Sequence, residues 1–169
     1  LNTEEGGESY SLKYTGYLTD NFTLSALAGH GEFKRNQYAT LLNGQRMEYN
    51  GDLFAPVGGC PIIRDLRPLG VQGATGTITG CDFFTTLNRA DAGDERDQYR
   101  IDAEWLLGDH QIRFGYDVDN FTTVDGTAYS GGAYYQYRQS AAGQDFVRRY
   151  DIRQGATVEV NQEAFFLED

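Results

Sequence analysis

Between Tyr99 and Val118 apolar and polar side chains alternate in two runs on either side of a short turn, and a period of two leaves this stretch no amphipathic helix to form. Tyr99, Ile101, Ala103, Trp105 and Leu107 fall on one side, with Arg100, Asp102 and Glu104 on the other. After Gly108-Asp109 the pattern resumes, with Ile112, Phe114, Tyr116 and Val118 alternating with Gln111, Arg113, Gly115, Asp117 and Asp119. Two alternating runs joined by two turn residues, one of them glycine, predict a β-hairpin over residues 99–122.

The same construction occurs at residues 8–36. Tyr10, Leu12, Tyr14, Gly16 and Leu18 alternate with Ser9, Ser11, Lys13, Thr15 and Tyr17, and Phe22, Leu24, Ala26 and Ala28 follow a turn at Thr19-Asp20-Asn21. A last strand is expected at residues 157–169, where Val158 and Val160 alternate with polar neighbours. Phe165-Phe166-Leu167 is apolar on both faces and leaves its inward side unassigned. Two long connections separate these strands, a Gly- and Asp-rich loop at 37–98 and an excursion at 123–156. Within the second, Tyr134, Tyr135 and Tyr137 followed by Phe146, Arg148, Tyr150 and Ile152 predict a projecting hairpin turned at residues 140–144.

Connection length therefore sorts by side, with short turns on one edge of the strands and long excursions on the other. That asymmetry fits a transmembrane β-barrel, in which short periplasmic turns face long external loops. Lipid offers no hydrogen-bond partners, so strands must pair completely and irregular backbone must lie outside the hydrocarbon. The expected fold is all-β, an antiparallel barrel segment of about five membrane strands plus an external hairpin. Such a number is odd and below that of the smallest bacterial barrels, so the chain is read as part of a larger one. On this reading Tyr99, Ile101, Trp105, Leu107, Ile112, Phe114 and Tyr116 face lipid, and Arg100, Asp102, Glu104, Arg113 and Asp117 face a wet lumen. A soluble extracellular β-sandwich that binds carbohydrate or protein would show the same alternation with its apolar face inward. A passive porin-like barrel is a third possibility.

Charge and composition narrow the partners. The 25 acidic against 14 basic residues leave a net charge of −11, which argues against nucleic acid, since neutralising phosphates requires surplus Lys and Arg. The 12 Tyr, 10 Phe and 21 Gly favour strands and turns. No apolar run approaches the about 20 residues of a membrane helix.

The segment from Asp97 to Asp117, DQYRIDAEWLLGDHQIRFGYD, resembles barrel strands of TonB-dependent outer-membrane receptors, and the ending NQEAFFLED is similar to a strand of that family preceding a periplasmic turn. Within the family the chain is most similar to the Oar-like receptors. The resemblance implies a barrel of about 22 strands, a plug inside it, and uptake of a nutrient, peptide or chelate driven by TonB through an N-terminal part not included here. It also implies a bacterial outer-membrane location, with lipid and an extracellular ligand as further partners.

Ligand capture falls to the excursions, where Tyr134, Tyr135, Tyr137, Phe146 and Tyr150 interleave with Arg138, Arg148 and Arg149 as stacking faces and cationic donors. The same residues would equally stabilise a tall hairpin through cross-strand pairs. Asp91, Asp94 and Asp97, with Glu95 among them, form the best calcium candidates, although they lack the EF-hand pattern and suit a solvated face as well. Cys60 and Cys81 lie in Gly-rich surroundings and are expected to pair as a disulfide in an exported protein. His30 and His110 are the only histidines and neither sits in a hydrolase or zinc-protease motif, so no catalysis and no cofactor are expected.

Overall fold

The computed structural model describes residues 1–41, 43–54, 61–68, 78–80 and 86–169. These residues form strands and turns without a helix, and the sheets are antiparallel apart from one parallel pairing. In chain order the strands are β1 (Asn2–Thr19), β2 (Phe22–Thr40), β3 (Arg46–Glu48), β4 (Ile62–Asp65), β5 (Ile78–Gly80), β6 (Thr86–Asn88), β7 (Gly93–Leu107), β8 (His110–Tyr129), β9 (Tyr134–Gln139), β10 (Asp145–Tyr150) and β11 (Arg153–Glu168). Cys60 and Cys81, expected to form a disulfide, lie outside the described residues.

One sheet has the order β1-β2-β7-β8-β11, with β3 beside β2 and β6 beside β8. A second has the order β10-β9-β4-β5. By its contacts the chain divides into one unit of Leu1–Glu4, Arg35–Ala92 and Val124–Ala156, and another of Glu5–Lys34, Gly93–Thr123 and Thr157–Asp169.

In the second unit, β2 pairs with β7 from Phe22↔Trp105 to Lys34↔Gly93. Cross-strand partners share a face, so Phe22, Ala26, Ala28, Tyr99, Ile101 and Trp105 stand together, and Thr23, Ser25, Arg100, Asp102 and Glu104 stand on the reverse. Phe22 and Trp105 meet edge to face at 6.3 Å. Neighbouring strands extend both faces. Glu104 reaches Arg113 of β8 at 3.8 Å, and Thr15 of β1 lies 3.4 Å from Ser25. The last strand, whose orientation the sequence left open, turns Phe166 and Glu168 to the charged face, where Arg100 lies over the Phe166 ring at 5.5 Å and Arg113 approaches Glu168 at 3.8 Å. Gly108, with φ +62°, supplies the left-handed residue of the β7–β8 turn.

The strands exceed the expected spans. β1 starts at Asn2, β2 runs to Thr40, β7 takes in residues 93–98, and β8 runs to Tyr129. The carboxylates Asp94, Glu95 and Asp97 therefore occupy a paired strand and not a loop.

In the other unit, Ala39, Met47, Tyr49, Leu87 and Ala128 form a buried core. The Tyr49 hydroxyl donates to the Gln154 carbonyl at 3.2 Å. Arg89 grips Asp91 with two nitrogens, at 2.8 and 2.7 Å, and its stem fills the space beside Gly126 and Gly155. Strands β9 and β10 make an antiparallel hairpin from Asp145↔Gln139 to Tyr150↔Tyr134, and β4 runs parallel to β9 from Ile62↔Tyr134 to Asp65↔Tyr137.

Candidate functional site

Two surfaces deserve a chemical reading, the two-faced sheet of the second unit and the β9–β10 hairpin of the first. In the sheet, the apolar face is open. Leu12 is 74% exposed, Ile101 49% and Trp105 41%, while Tyr10, Tyr14, Leu18, Tyr99, Leu107, Tyr116, Phe165 and Leu167 are also exposed, and Ile112 and Phe114 are half-buried. Nothing among the described residues seals this face. Among its polar members is Glu163, whose carboxylate accepts a hydrogen bond from the Tyr116 hydroxyl at 2.6 Å.

The reverse face is a lattice of ions. Arg100 Nε lies 2.9 and 2.8 Å from the two oxygens of Asp102, and Arg96 pairs with Asp119 at 2.9 and 2.5 Å. Thr123 donates to Asp94 at 2.6 Å. Lys13, Ser25, Asp102, Glu104, Arg113 and Phe166 border a cleft of about 240 Å³. Asp117 keeps one carboxylate oxygen buried, without a hydrogen-bond partner among the described residues.

The hairpin gathers all eight aromatic and basic residues named from the sequence onto paired strands. Tyr134 and Tyr150 stack at 5.5 Å, Arg149 lies over Tyr135 at 6.0 Å, and Arg148 lies over Phe146 at 5.6 Å. Tyr134 is buried with Ile62, Arg138 donates to Gln136 at 2.8 Å, and Tyr137, Phe146, Arg148 and Arg149 stay exposed. Arg67, which the sequence did not single out, anchors the turn end of the hairpin. Its guanidinium takes both oxygens of Asp65, reaches Asp145 at 2.8 Å and lies 5.7 Å from the Tyr137 ring. The arrangement can stack flat groups and meet anions along its exposed strip.

The three calcium candidates do not converge. Asp91 is held by Arg89, and Asp94 and Asp97, three residues apart on one strand, point to opposite faces. Asp97 instead meets His30 at 2.8 Å, a contact across 67 residues that only the β2–β7 register reveals. His110 pairs with Asp169, also at 2.8 Å.

No protein-family model, no curated protein and no solved structure matches the chain. The fold itself defines an all-β protein built on a long antiparallel sheet with one apolar and one charged face.

Proposed function

We propose that the chain is part of a transmembrane β-barrel in a bacterial outer membrane, acting as a receptor that captures a ligand with its long excursions for TonB-dependent uptake. The observation that carries the membrane reading is the uncovered apolar face around Leu12, Ile101 and Trp105, backed by ion pairs such as Arg100–Asp102. Lipid satisfies such a face, because it removes apolar area from water without a second protein layer. The charged face suits a hydrated lumen, where ions keep their solvation. Tyr10, Tyr14, Tyr99 and Trp105 suit the interfacial aromatics of such a barrel.

The β9–β10 hairpin is the capture surface in this reading, and the acceptable ligands are anionic or flat groups on a peptide, glycan or chelate. Coupling to TonB and a plug follow from the family resemblance of the strands.

Substitution tests the medium. Ile101→Arg places a cation on the apolar face, and arginine near a bilayer midplane costs about 2–4 kcal/mol. Ser25→Arg places one on the charged face. The expected result is loss of membrane assembly for the first and normal assembly for the second. Water-soluble Ile101→Arg protein at normal yield without detergent overturns the reading.

A further inference from the structure

On the apolar-facing side of β2 and β7, beyond Ala28 and Tyr99, the register sets His30 opposite Asp97 and Glu32 opposite Glu95. One donor atom from each of His30, Glu95 and Asp97 lies within 4.8 Å of the others. The imidazole is oriented twice over, by the 2.8 Å contact of Nδ1 with Asp97 and by the Tyr10 ring stacked on it at 6.3 Å with planes 9° apart. Directly opposed like charges destabilise an antiparallel pair, and Glu32↔Glu95 is such a pair. Lys34 answers Glu32 at 3.4 Å, and a bound cation would place further positive charge beside Glu95.

We propose that His30, Glu95 and Asp97 bind a divalent transition-metal ion of the zinc class. An imidazole nitrogen selects zinc, copper or nickel over calcium and magnesium, which take oxygen ligands alone. Three protein ligands leave a coordination position open to water or to an external donor. Binding discharges the Glu32↔Glu95 repulsion and clamps β2 to β7. The site goes beyond the receptor reading and does not depend on it, since its ligands come from two adjacent strands whatever touches the sheet below.

The test is calorimetric titration of the folded chain with zinc chloride, repeated with calcium chloride. One ion is expected to bind, zinc in preference to calcium, and Asp97→Asn, Glu95→Gln and His30→Ala should each weaken binding at least about tenfold. His110→Ala, which removes the other histidine, should leave it unchanged. Circular dichroism checks that each variant keeps its strands, and the near-isosteric Asp97→Asn and Glu95→Gln decide if His30→Ala does not fold. Equal zinc binding by the folded variants, equal affinity for calcium, or no zinc binding overturns the proposal.

Discussion

Arg67 Nη1 donates to Asp145 Oδ2 at 2.8 Å while its other nitrogens hold Asp65, so one guanidinium ties the end of β4 to the start of β10. A planar fork grips both oxygens of Asp65 and still reaches Asp145, a geometry that the compact charge of an ammonium does not reproduce. Arg67→Lys should therefore behave like Arg67→Met in loosening the hairpin. Limited proteolysis read by mass spectrometry should show faster cleavage around residues 140–144 in both variants, with the remaining strands protected as before.

Leu87 is fully buried against Ala39, Met47, Tyr49 and Ala128. Leu87→Ala should cost about 2–5 kcal/mol, the usual range for emptying a core position. Tyr49→Phe removes only the hydroxyl bonded to Gln154 and should cost about 1 kcal/mol. Urea titration of each variant against the parent checks the order.

A methyl group added at Gly126 would lie 2.6 Å from the Gln154 carbonyl oxygen and 2.8 Å from the Gly155 Cα, both backbone atoms. Side-chain rotation cannot relieve that overlap, so Gly126→Ala should cost about 1–3 kcal/mol. At Gly143 the same methyl meets nothing within 4 Å, and strain there comes from its φ of +81°. Gly143→Asn should be better tolerated than Gly143→Val, because asparagine accepts the left-handed region and a β-branched residue does not. Thermal unfolding of these variants separates the two causes.

The Arg89 guanidinium holds the Asp91 carboxyl below its ordinary value of 3.8. A depressed folded value means the stabilisation is present above the unfolded value and is lost as pH falls through the folded one. Asp91→Asn removes that dependence, so the acid limb of its stability curve should be flatter than the parent's. The effect should shrink in high salt, since Asp91 is 58% exposed. Acid titrations of both proteins at low and high salt measure it.

The sequence made the pleat readable where one face was apolar. Between Tyr99 and Val118 a period of two and a glycine turn were enough to place β7 and β8 and to separate Ile101 from Asp102. Residues 93–98 carried no such signal, because Asp94, Glu95 and Asp97 put charge on both sides. Their strand exists through pairing with Phe33, Glu32 and His30, which lie more than sixty positions earlier. Short strands β3 and β6 were hidden for the related reason that three residues cannot display a period. The aromatic and basic residues of the hairpin were legible as a set, but their anchor was not. Arg67 finds Asp145 across 78 residues, and nothing local to Arg67 announces it. His30 was likewise visible as a residue and invisible as a neighbour of Asp97.

Strands β1 and β11 each have a neighbour on one side only within the path β1-β2-β7-β8-β11. A margin of this length offers its amides and carbonyls to any extended segment, and main-chain bonding by itself does not choose an alignment. The alternation of side chains makes the choice. Sliding an incoming strand by a single residue would exchange its wet and greasy halves, so only every second alignment is tolerable, and the zigzag that shapes each strand also acts as the ratchet that sets where the next one stops.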